Sequence, residues 1–134
     1  MIGRFKDRRG FTLVEIMIAV FILTVALIGV ISTTIMIIKG NDFSRIMTTA
    51  TTLAKDKIEE IKKTSYTSFS TGTTTTDYRN IDSSAGTSGA YFTRVLTVTA
   101  DGIPSADLRT VTVEVRWSWY GINRSVTLRT LIGA

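Results

Sequence analysis

Apolar and polar positions divide the chain into four stretches with different periods. Ile16 to Ile38 is a run of 23 residues without a charge. As a helix rising about 1.5 Å per residue it would extend roughly 35 Å, enough for a hydrocarbon core of about 30 Å. The pattern therefore predicts a membrane-spanning helix over residues 11–38. Beyond it, Phe43, Ile46, Met47, Ala50, Leu53, Ala54, Ile58 and Ile61 recur at steps of three and four, the stripe of an amphipathic helix over residues 39–64. Lys39-Gly40-Asn41-Asp42 is the expected interruption, because Gly and Asn are poor helix formers and Asp42 could cap a second segment.

Residues 65–90 are rich in Ser, Thr and Gly and poor in apolar side chains that could offset ordering entropy. They read as a connecting loop, pinned to the domain by Tyr66, Phe69 and Tyr78. The period then changes to two. Phe92, Arg94, Leu96 and Val98 alternate with Tyr91, Thr93, Val95 and Thr97, and Val111, Val113, Val115, Trp117 and Trp119 alternate with Thr112, Glu114, Arg116 and Ser118. A third strand is expected from Arg124 to Ile132, with Val126 and Leu128 inward, after a turn at Tyr120-Gly121-Ile122-Asn123. Residues 91–134 thus predict an antiparallel meander of about three strands. Only the amphipathic helix can cover its apolar face, which gives an α+β fold: a long amino-terminal helix laid on a small antiparallel sheet. Trp117 and Trp119 continue the valine alternation and read as core.

Composition narrows the chemistry. The sequence has no histidine and no cysteine, which removes the commonest general base, metal ligand and thiolate. No Gly-rich phosphate loop or serine-nucleophile signature is present, so the reading is of a protein without an enzymatic reaction, a cofactor or a metal. Asp101 and Asp107 lack the dense oxygen-ligand spacing of a calcium loop. The formal net charge is +5, but Arg4, Lys6, Arg8 and Arg9 against Asp7 place +3 of it before Gly10. The basic balance reports that leader more than a nucleic-acid partner. Arg94, Arg109, Arg116, Arg124 and Arg129 lie on or beside the strands and could form a basic outer face, the feature DNA binding would need, although solvated charge is the commoner explanation. Basic residues before an apolar helix keep that end in the cytoplasm, so residues 1–10 read as a cytoplasmic leader and the carboxyl-terminal domain as translocated.

Glu15 is the anomaly. An ionised side chain at mid-bilayer costs on the order of 2.5 to 3.5 kcal/mol on insertion scales, and less where it reaches the interface. A plain single-pass anchor with Glu15 at the interface is one reading. A secretory signal is another, but its apolar region is shorter, and Lys39-Gly40-Asn41-Asp42 offers no convincing cleavage site. A third reading pairs the acid with a cation: a cut after Gly10 would expose the amine of Phe11, which a neighbouring copy could present.

The order basic leader, Gly10-Phe11-Thr12-Leu13-Val14-Glu15, long apolar helix resembles the class III signal of type IV pilins and pseudopilins. The resemblance implies cleavage by a prepilin peptidase between Gly10 and Phe11, N-methylation of Phe11, and Glu15 as the acid that guides assembly. Residues 50–62 are also similar to the helix of the minor pilins called pilus modification proteins and of minor pseudopilins. The implied role is a minor, initiating or modifying, pilus subunit; a type II secretion pseudopilin, a major pilin or a ligand-binding pilin are the alternatives. Implied partners are other pilins or pseudopilins, the peptidase, an inner-membrane platform with its ATPase, an outer-membrane secretin in a diderm cell, and membrane lipid before assembly. The implied location is the inner membrane, then a pilus or pseudopilus.

Overall fold

The computed structural model describes residues 11–64, 68, 70–100 and 108–133. Helix α1 spans Leu13–Lys63 and is followed by four strands: β1 Thr74–Arg79, β2 Phe92–Ala100, β3 Leu108–Trp119 and β4 Ile122–Gly133. The strands form one antiparallel sheet in the order β1-β2-β3-β4. The α+β architecture expected from the two periods is the one observed. The chain divides into two compact units after Asn41.

In the first unit α1 is capped by Thr12, whose hydroxyl accepts the backbone N–H of Glu15 at 3.3 Å. The side chains from Leu13 to Ile38 are exposed, none of them buried within the protein, on a helix long and apolar enough to cross a membrane. Its hydroxyls are satisfied within the helix. Thr24, Ser32, Thr33 and Thr34 donate to the carbonyls of Val20, Ile28, Gly29 and Val30 at 2.8 to 3.0 Å, which removes the cost of presenting them to lipid. The interruption expected at Lys39-Gly40-Asn41-Asp42 is absent; helical structure runs through all four residues. One Gly and one Asn cost about 1 kcal/mol or less each relative to Ala, too little to break a helix this long.

In the second unit α1 buries Ile46, Ala50, Leu53, Ala54 and Ile61. Against them lie Phe92, Leu96 and Val98 of β2 and Val111, Val113, Val115 and Trp117 of β3. Ala50 and Ala54 are fully buried and belong to the same core cluster as the inward residues of β2 and β3. Each fully buried Val or Leu contributes about 1.5 to 3 kcal/mol relative to exposure. Met47, counted in the stripe from sequence, is exposed; it follows Ile46 directly and so falls off the buried arc. Trp117 is buried, whereas Trp119 is only half-covered, against Phe43.

The stretch 65–90, read as a loop, holds a fourth strand and a built turn. Tyr66 and Phe69, expected to pin it, lie outside the described residues, as do Asp101 and Asp107. β1 pairs with β2 from Thr74 opposite Thr97 to Arg79 opposite Phe92. Its threonines have strand propensity but no apolar alternation, so the pattern that marks a half-buried strand is missing. Asn80 then organises residues 80–86: its side-chain amide donates to Ser84 Oγ and Ala85 O, and Asp82 accepts from the Ser84 N–H and hydroxyl. Those hydrogen bonds hold the Asp82 carboxyl below its usual range.

Gly86 donates to Tyr78 O at 2.9 Å, and a Cβ on it would stand 2.6 Å from Ala90 Cβ and 3.2 Å from Asn80 Oδ1. Gly86→Ala should therefore destabilise the domain by about 1 to 3 kcal/mol through overpacking, read as a lower urea midpoint with an unchanged slope. An unchanged midpoint would mean the turn yields freely.

Candidate functional site

The sequence singles out Gly10, Phe11 and Glu15. Gly10 lies outside the described residues; Phe11 and Glu15 are both placed. Phe11 precedes the helix, is not helical and has its side chain 78% exposed. Thr12 caps α1, and Glu15 follows in the first turn. A peptide bond on the amino-terminal side of Phe11 therefore adjoins backbone outside the helix, the form in which a protease can bind a chain. Glu15 is the one charged residue from Phe11 to Ile38.

Thr12 and Glu15 also occupy the two defining positions of a capping box, Thr at the cap and Glu three residues on. A carboxylate there is favoured by the unpaired N–H groups and positive end of the helix dipole. This local role was legible in the spacing Thr12-Leu13-Val14-Glu15 but is hidden by the larger anomaly of an acid beside an apolar run. It explains how Glu15 is tolerated at the helix start, and it leaves the carboxylate available to an outside cation.

The strand arginines do not form one basic face. Arg116 and Arg129 share the outer face with Thr93 and Thr112, their partners in register, whereas Arg94 stands opposite Val115 on the inner face. Arg124 is paired with Trp117 and approaches the Phe43 ring at 5.9 Å. Arg116 donates to Glu114 at 2.6 Å. That contact holds the Glu114 carboxyl below its usual range and raises Arg116. The stripe that DNA binding would need is thus split between two faces and partly neutralised. A shallow depression of about 680 Å³ on the outer face is lined by Tyr91, Thr93, Glu114, Arg116, Asn123 and Ser125. Its groups can make hydrogen bonds but include no paired nucleophile and base. Among the described residues no three His, Cys, Asp or Glu side chains come together as a metal site would require.

Arg94 is the site that sequence reasoning passed over. It is 3% exposed. It donates through Nε to Asp77 Oδ1 at 2.8 Å, through a terminal nitrogen to Asp77 Oδ2, and through the other to Leu53 O of α1 at 3.0 Å. One side chain thus ties the edge strand, the second strand and the helix together. An arginine on the apolar side of the β2 alternation was the available signal.

Residues 5–31 match the model of the prokaryotic N-terminal methylation motif. The chain carries a class III signal peptide of the type IV pilin kind. The motif covers residues 5–10 of the basic leader, the Gly10-Phe11 junction, Glu15 and the apolar run as far as Ile31, and it is the mark of a pilin- or pseudopilin-type substrate of prepilin peptidase. Proteins bearing this signal are structural, and it implies interaction with other pilins and with the peptidase in general. The apolar helix behind the signal is consistent with membrane insertion, as in type IV pilins. No curated protein and no solved structure matches the chain.

Proposed function

We propose that this protein is a minor subunit of a type IV pilus, without a reaction of its own, cut between Gly10 and Phe11 and methylated on the Phe11 amine. It waits in the inner membrane on residues 16–38, with the leader in the cytoplasm and the sheet domain on the far side. An assembly platform and its ATPase then move it into the filament. Glu15 pairs with the Phe11 ammonium of an adjacent subunit inside the helix bundle. In that low-dielectric setting an isolated charge is heavily penalised, so the pair sets direction and register as the helix leaves lipid. The observation that carries the proposal is the methylation motif placed over the start of a helix whose exposed apolar stretch, residues 11–38, holds a single charge, Glu15 in the first turn.

The minor role rests on the helix spacing of residues 50–62. Deletion of the gene in its host, with surface fibres and secreted enzymes measured side by side, tests the role. Loss of fibres together with scarcity of the protein in sheared fibre fractions supports an initiating subunit. Abundance as the bulk of those fibres would make it a major pilin, and a defect confined to enzyme export would make it a pseudopilin.

A further inference from the structure

Five large apolar side chains stand exposed among the described residues of the second unit: Met47, Ile81, Tyr120, Ile122 and Leu131. Three of them gather around Trp119. Tyr120 meets its ring edge-on with centroids 4.9 Å apart, Ile122 is its partner in the β3–β4 register, and Ile81 lines a depression with Trp119, Asp42 and Arg45. Trp119 in turn lies 5.9 Å from Phe43. Phe43 is five residues past Ile38, the end of the apolar run, so the chain itself holds it within about 18 Å of that end even if fully extended. A bilayer's polar zone adds about 5 to 7 Å on each side of its hydrocarbon core.

We propose that the tip of the β3–β4 hairpin, with Ile81 beside it, is a lipid-binding surface that seats in the headgroup zone where the membrane span ends. The proposal rests on the reading of residues 16–38 as a span and goes beyond it. Three features fit this occupant. Trp and Tyr are the side chains that bilayer interfaces select, an apolar body with one polar tip. Arg45 and Arg124 stand beside the cluster against Asp42, a basic surplus suited to lipid phosphate. The turn itself is also unusual. Tyr120 and Gly121 both have positive φ, 49° and 77°, as a two-residue hairpin turn with matching twist requires, and that first position favours Asn, Asp or Gly. A bulky aromatic occupies it, and the residue is 70% exposed. Local turn chemistry does not ask for tyrosine there; an interface does.

The sequence has no cysteine, so one introduced thiol gives one label. The full chain carrying Asn123→Cys, Leu131→Cys or Leu27→Cys, labelled with an environment-sensitive fluorophore, is placed singly in nanodiscs of phosphatidylcholine with and without phosphatidylglycerol. Position 131 is nine residues along β4 from Ile122, about 30 Å in a strand. The expected result is a blue-shifted emission at position 123 with several-fold weaker quenching by iodide than at 131, stronger with the anionic lipid, and lipid-like emission at 27. Adding Tyr120→Asn, which suits the turn, should raise or hold the urea midpoint while restoring most of the quenching at 123. Quenching at 123 equal to that at 131, with 27 lipid-like, overturns the proposal and leaves the span intact. Water-like emission at 27 overturns the span and the proposal with it. Protection at 123 that appears only with two chains per disc assigns the surface to a second copy and also overturns it.

Discussion

Replacing Asp77 by alanine should cost the sheet domain about 3 kcal/mol, the lower end of the penalty for stripping one partner from a buried ion pair, because only the Arg94 side of this pair is fully buried. The loss follows from what stays behind. Arg94 is 3% exposed and would keep only Leu53 O as an acceptor, with its remaining N–H groups desolvated and unpaired. Domains of this size are stable by about 5 to 15 kcal/mol, so the variant would lose a large fraction of its stability. Arg94→Met should cost less. It fills similar volume with apolar atoms, and the Asp77 side chain, 32% exposed, can turn to water and retains Arg79, whose guanidinium lies 3.9 Å away. The predicted order is therefore Asp77→Ala worse than Arg94→Met, with Asp77→Ala/Arg94→Met less damaged than Asp77→Ala alone. Urea unfolding of the detergent-solubilised chain, followed by the fluorescence of Trp117 and Trp119, reads all three. Equal stability of Asp77→Ala and the parent protein would mean that the pair contributes nothing.

Glu15→Val should leave membrane insertion intact and reduce incorporation into fibres more than about a hundredfold. The neighbouring ammonium would lose its counter-charge in the filament core at a cost of about 3 kcal/mol or more, and every 1.4 kcal/mol is a factor of ten. The proposed pairing and the capping position fall on the same residue, and a control separates them. Thr12→Ala removes the hydroxyl that caps α1 and keeps the acid; its expected cost is about 1 kcal/mol of helix stability, with incorporation largely retained. If Thr12→Ala abolished incorporation as completely as Glu15→Val, the effect of Glu15 would lie in starting the helix. Sheared fibre fractions compared with membrane fractions by immunoblot give both numbers.

Much of this architecture is written in the chain as periods. The apolar run from Ile16 to Ile38, the stripe through Ile46, Ala50, Leu53 and Ile61, and the alternation through Val111, Val113, Val115 and Trp117 each have one physical solution, and the structure adopts it. β1 was hidden for the opposite reason. Thr74, Thr75 and Thr76 are exposed, and what secures the strand is Asp77 reaching Arg94 across the sheet, a contact between residues 17 apart. Non-local pairing of charges leaves no local period. The same holds at Lys39-Gly40-Asn41-Asp42, where weak helix formers suggested a break and the length of α1 on both sides carried the helix through. At the amino terminus the candidate site was legible because its parts are contiguous: leader, Gly-Phe junction, acid and apolar run. The cap formed by Thr12 was equally contiguous, and one residue, Glu15, serves both patterns.

The mature amino terminus decides the matter most directly. Mass spectrometry of the protein from host membranes and sheared fibres should find a chain that begins at Phe11 and is one methyl group heavier on its terminal amine. A chain that keeps residues 1–10, or one that begins beyond Ile38, would contradict the account.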